Sequence, residues 1–190
     1  MALVTKPIEL STTSPESTFN LGRLIGDILL PGDIILLVGE LGSGKTALVR
    51  GIAAGLSIVD RVVSPTFVLV RSYRGRLELI HADLYRLGSD AQEDLEFLDL
   101  GSVDSVTVVE WGDLSGDFYF SLEPLVIEFT QDSGVDRMVR HISIRWIGKR
   151  FGSRITPELF NDIEPTQPPS ESNCVSGKKL LTYREPKVMK

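Results

Sequence analysis

Eight consecutive residues, Gly39-Glu40-Leu41-Gly42-Ser43-Gly44-Lys45-Thr46, carry the densest chemistry in the chain. They fit the pattern G-x-x-x-x-G-K-[ST], a loop built to hold phosphate. Its glycines let the backbone turn tightly and bring successive N–H groups toward an anion. A helix starting directly after such a loop adds partial positive charge at its N-terminus. Lys45 can reach the outer phosphate oxygens of a nucleoside triphosphate, and the Thr46 hydroxyl can enter a magnesium shell. Ala47 extends the loop's contact surface without a hydroxyl. ATP and Mg2+ are the expected ligands.

Hydrolysis needs more than a loop, namely a second acidic anchor for the metal and a group that positions the attacking water. Two carboxylates stand at the ends of strand-like segments. Asp83 follows Leu77-Glu78-Leu79-Ile80-His81-Ala82, and Glu110 closes Val106-Thr107-Val108-Val109. A carboxylate at the C-terminal end of a buried strand faces the crevice where open α/β sheets bind ligands. Each is a candidate for both the catalytic and the metal role.

The elements that must position these groups follow from periodicity. Thr13-Ser14-Pro15-Glu16 reads as a helix start, with Thr13 or Ser14 as cap and Glu16 in a capping box. Leu21, Leu24, Ile25, Ile28 and Leu29 recur at helical spacing, and Pro31-Gly32-Asp33 ends that helix. Ile34 to Val38 is all aliphatic, as suits a strand buried on both faces. The glycine-rich loop comes next, and Leu48, Val49, Ile52, Ala53 and Leu56 mark the helix behind it. Residues 67–73 and 76–82 look like a hairpin around Arg74-Gly75, and residues 89–98 look helical. Strands are expected at 106–110, 123–129 and 139–147, so the sheet should be mixed rather than wholly parallel. The fold class is α/β.

Composition bounds the rest. The 190 residues are 42% hydrophobic and 24% charged, which suits one globular domain. No aliphatic run approaches a membrane span, and the start MALVTKPIEL lacks a signal-peptide pattern, so the cytoplasm is the expected address. One cysteine, Cys174, and two separated histidines, His81 and His141, argue against an internal disulfide or a zinc site. Residues 165–190 hold five basic and two acidic side chains, leaving −9 on the other 164 residues. So acidic a body repels nucleic acid, and a large direct footprint on it is not expected. Five of the ten prolines fall after residue 150, and residues 164–177 have little to bury. The expected domain is therefore 1–163, with 164–190 as a loosely attached tail.

Four blocks in order, GELGSGKT at 39–46, SPTF at 64–67, HADLYRL at 81–87 and VEW at 109–111, resemble the TsaE family of bacterial tRNA threonylcarbamoyladenosine biosynthesis. The resemblance covers roughly residues 10–150. It implies a P-loop NTPase fold and a magnesium-dependent ATPase whose activity depends on partners, the TsaB and TsaD proteins, with tRNA reached through them. In that role the ATPase resets the partner pair between turnovers. The resemblance also implies Asp83 as second magnesium anchor, direct or through water, and Glu110 as the group that orients or activates water. Thr66 would be a switch residue sensing the outer phosphate or its metal, or else only a turn residue after Pro65, and Trp111 would pack against the nucleotide or belong to the core. His81 fits a satisfied sheet histidine better than a catalyst, while Tyr85 and Arg86 could be partner surface, with a salt-bridged structural role equally open for Arg86. Two departures stand out: Ala47 replaces a frequent second threonine, and Gly112-Asp113 is a less usual continuation after Trp111. A small-molecule kinase usually needs an arginine-dense lid, and here Arg71, Arg74 and Arg76 fall in the hairpin. A GTPase lacks support without an N-K-x-D element. A non-catalytic nucleotide-binding scaffold would have no need of Glu110.

Overall fold

The computed structural model describes residues 5–86, 104–115, 122–131 and 139–163. The helix expected at 89–98 and the tail after 163 lie outside them. The elements are β1 (Ile8–Thr12), α1 (Pro15–Ile28), β2 (Ile34–Val38), α2 (Lys45–Gly55), β3 (Val70–Tyr73), β4 (Glu78–Asp83), β5 (Ser105–Glu110), β6 (Leu125–Gln131) and β7 (Arg140–Trp146). The strands form one seven-stranded sheet in the order β1-β7-β6-β2-β5-β4-β3. Strands β6, β2, β5 and β4 are mutually parallel, whereas β3, β7 and β1 run antiparallel to their neighbours. The sheet is mixed, as expected.

Central position explains composition. β2 lies between two parallel neighbours and is aliphatic throughout, and β5 is buried at every residue. On one face Ile35, Leu37, Val106, Val108 and Leu79 join the large core shared with both α-helices. Leu36, Val109, Ala82 and Val126 form a smaller cluster on the other face.

Helix α1 begins at Ser14, whose hydroxyl accepts from the Ser17 N–H while the Ser17 hydroxyl accepts from the Ser14 N–H. The capping box therefore closes on Ser17, at the third helical position, and not on Glu16, which stands one residue too early. The hairpin also differs from expectation at its start. Residues 66–69 form a turn, because the Val68 and Leu69 N–H groups both bond the Pro65 carbonyl and Leu69 sits at φ 65°, so β3 starts only at Val70. β1 has no counterpart in the sequence-based expectations. It exists by pairing with β7, Ile8 opposite Ile144, and a five-residue edge strand has little periodicity of its own.

Helices α1 and α2 meet backbone to backbone. Gly22 and Gly26 on α1 face Gly51 and Gly55 on α2, and a Cβ on Gly51 would lie 2.0 Å from the Phe19 carbonyl oxygen. Arg76, from the hairpin, bonds the Gly26, Asp27 and Gly55 carbonyls and so ties together the ends of both helices. Gly51→Ala is expected to force the helices apart and to lower stability by about 1–3 kcal/mol, the cost of overpacking a dense contact. A thermal melt superimposable on wild type would refute this.

After β7 the chain adds Phe151, Ile155 and Phe160 to the large core. Asp33, fully buried before β2, accepts hydrogen bonds from the Leu30 N–H and from the guanidinium groups of Arg150 and Arg154. Asp33→Ala leaves two cations without their anion, and about 3–5 kcal/mol of lost stability is expected in chemical denaturation.

Candidate nucleotide site

The parallel register brings the chemistry together. Leu37 on β2 is level with Glu110 on β5, and Glu110 is level with Asp83 on β4. Both carboxylates thus stand at the C-terminal ends of adjacent strands, beside the loop that leaves β2. That loop hands over to α2 at Gly44, the N-cap, whose φ of 110° is a left-handed conformation open to glycine at low cost. A Cβ there would also meet the Arg140 side chain at 2.9 Å.

A cavity of about 490 Å³ opens over the loop, lined by Leu41 to Ala47 together with Ser64, Thr66, Asp83, Tyr85, Glu110 and Trp111. Of the residues singled out from sequence, Gly39 and Glu40 do not line it. They serve it indirectly, since their carbonyls accept from Lys45 Nζ at 2.8 and 2.9 Å. Lys45 is 4% exposed and also lies 4.2 Å from the centre of the Trp111 ring. Desolvation lowers its pKa below the ordinary lysine value, and the charges of Glu110, Asp83 and Asp113 oppose that shift. A buried lysine flanked by negative groups and loop carbonyls is a cation ready to exchange those partners for phosphate oxygens.

The two carboxylates differ in what they hold. Glu110 accepts from the Thr46 hydroxyl, 3.0 Å to Oε1 and 3.3 Å to Oε2, and from His81 Nε2 at 3.0 Å. Asp83 instead accepts from the hydroxyls of Thr66 and Ser64 through Oδ2, and from the Tyr85 N–H through Oδ1. The turn after Pro65 is what delivers these hydroxyls, so the departure from strand at 66–69 belongs to the site. Thr66 is thus joined to Asp83 within the cavity. Trp111, at φ 62°, lies against Tyr85 with ring centres 4.9 Å apart and planes tilted by 39°. Gly112 has a steric reason: a Cβ there would lie 2.7 Å from that of Leu36, so the chain leaving Trp111 passes directly over β2.

Sequence reasoning assigned no role to Ser64, although it lies in the quoted SPTF block, and left Tyr85 as surface. The signal for Ser64 was the alternation of hydroxyls around Pro65. Of the hairpin arginines, Arg76 is engaged at the helix ends and not over the cavity.

The donor set suits magnesium and phosphate. Asp83 and Glu110 are 2% and 4% exposed, and with the Thr46, Ser64 and Thr66 hydroxyls they offer oxygen ligands only, the preference of a hard divalent cation. Among the described residues no three His, Cys, Asp or Glu side chains gather into a cage of their own. A magnesium ion held jointly by protein and phosphate would need only one or two carboxylates. The cavity volume falls within the usual range for small-molecule sites.

Comparison with known proteins extends these observations. A family model described as threonylcarbamoyl adenosine biosynthesis protein TsaE matches residues 12–140. A Streptomyces coelicolor protein named tRNA threonylcarbamoyladenosine biosynthesis protein TsaE is 40% identical over 148 residues, which cover 70% of this chain and 93% of that one. Proteins of the same name from a Nostoc species and from Bacillus subtilis are 44% and 39% identical over 105 and 110 residues, covering 52% and 57% of this chain and 64% and 69% of theirs. The crystal structure of Bacillus subtilis YdiB superposes with a TM-score of 0.60 at 32% identity, over 80% of this chain and 92% of that one.

Proposed function

The chain belongs to the TsaE family, which takes part in threonylcarbamoyl adenosine biosynthesis, and we propose that its share of that work is the binding and hydrolysis of ATP with magnesium. The observation that carries the proposal is the convergence of Lys45, Thr46, Asp83 and Glu110 on one cavity over the phosphate loop.

Thr46 and Glu110 would hold a magnesium ion beside the phosphates, and the ion would supply neutralisation of the charge that develops during hydrolysis. The chain's own groups divide the remaining tasks. Lys45 releases the Gly39 and Glu40 carbonyls and binds phosphate oxygen. Thr46 and Glu110, already joined, hold the metal side. Asp83, joined to Thr66 and Ser64, holds the opposite side and orients the attacking water. This division exchanges the roles that the resemblance implied, because the Thr46 hydroxyl bonds Glu110 and not Asp83. Trp111 and Tyr85 form an aromatic wall along the cavity.

The finer role is partner-dependent turnover that resets a TsaB–TsaD pair in the cytoplasm, with tRNA contacted by the partners. Among the described residues no helix is long and apolar enough to cross a membrane. The test is to measure phosphate release from ATP with the chain alone and with both partner proteins, then to assay threonylcarbamoyl adenosine in tRNA. Stimulated release with multiple rounds of modification supports the proposal. Full modification without the chain, or without hydrolysis, overturns it.

A further inference from the structure

The geometry points to His81 as a positioning residue that fixes the Glu110 carboxylate for its work at the metal. This inference rests on the ATP–magnesium proposal and extends it to a residue that touches neither ligand. His81 is fully buried on β4 and donates from Nε2 to Glu110 Oε1 at 3.0 Å. It lies two residues before Asp83, so the alternation of β4 turns both side chains to the same face, between Leu79 of the core and the cavity. Its other nitrogen, Nδ1, has no hydrogen-bond partner among the described residues. The carboxylate accepts, so Nε2 is the donor, and among the described residues the ring's one hydrogen bond goes to Glu110.

Glu110 is thereby gripped from two sides. Thr46 spans both of its oxygens from α2, while His81 holds Oε1 from β4. A glutamate has three rotatable bonds, and Thr46 alone cannot fix them all while its hydroxyl also faces a metal. The histidine supplies the fixed second point. Hydrogen-bond partners of this kind, behind a metal-side carboxylate, typically change metal affinity or activity by about 10–100-fold when removed.

The experiment compares His81→Leu and His81→Gln with wild type. Leucine fills the core site without a donor, and glutamine can restore an N–H close to the position of Nε2. ATP affinity is titrated calorimetrically across a magnesium series, and kcat and KM for ATP are measured with the partner proteins present. For His81→Leu we expect the magnesium needed for half-maximal ATP binding to rise about tenfold or more and kcat to fall by about 10–100-fold. His81→Gln should recover to within a few-fold of wild type. Wild-type magnesium dependence and kcat in His81→Leu would overturn the inference while leaving the ATP site intact. Equal loss in both variants, in step with equal loss of melting temperature, would also overturn it, because histidine would then serve packing only. A wild-type chain with no magnesium-dependent ATP binding would remove the premise and the inference together.

Discussion

Lys45→Ala is expected to abolish ATP binding and hydrolysis while leaving the fold in place. The lysine is almost wholly buried and meets the loop carbonyls, the charges of Glu110, Asp83 and Asp113, and the Trp111 ring. Losing charge-assisted contacts to phosphate should cost roughly 3–5 kcal/mol, which raises Kd by at least about a hundredfold. The fold should persist, because the lysine makes its bonds within a surface loop and its desolvation opposes the charged form. Calorimetry gives the affinity, and circular dichroism gives the fold. Unchanged affinity in a natively folded variant would remove Lys45 from the site.

Asp83→Asn and Glu110→Gln are expected to separate catalysis from metal binding. Asp83 is tied to Thr66 and Ser64, away from the Thr46 hydroxyl, so its loss should fall on the water-positioning step. Turnover with partners present should drop by roughly two to four orders of magnitude, the range for a lost general base, with ATP–magnesium affinity within a few-fold of wild type. Glu110→Gln should behave differently. Its carboxylate shares the Thr46 hydroxyl, and its loss should weaken ATP binding by about 10–100-fold, only when magnesium is present. The opposite pattern, affinity lost in Asp83→Asn and turnover alone lost in Glu110→Gln, would restore the roles that the resemblance implied.

The parts of the site legible in sequence are those whose signal is local. The strand-loop-helix unit from Ile34 to Gly55 announces itself by an aliphatic run, a glycine-rich octet and helical spacing, all within 22 residues. Glu110 was legible because it ends a run too apolar to be anything but a buried strand. What remained hidden depends on partners distant in sequence. β1 forms only against β7, and no short-range pattern reports a pairing between Ile8 and Ile144. The division of labour proposed for Asp83 and Glu110 is argued from strand order, which sets β5 directly beside β2 and β4 one strand farther out. His81 looked like a core histidine because its acceptor, Glu110, is brought near only by the β4–β5 register. The turn at Thr66 was obscured by the apolar residues Phe67, Val68 and Leu69, which read as strand yet leave Phe67 81% exposed. Glycines at 22, 26, 51 and 55 did carry a usable signal, a repeated spacing of four on two helices, that marks close backbone approach.

The measurement that tests the central claim most directly is a calorimetric titration of ATP into the wild-type chain, once with saturating magnesium and once with the metal chelated. The account predicts saturable binding of one ATP per chain, at least about tenfold weaker without magnesium, as two buried carboxylates near the phosphates require. No saturable binding of ATP at millimolar concentration in the presence of magnesium would contradict it.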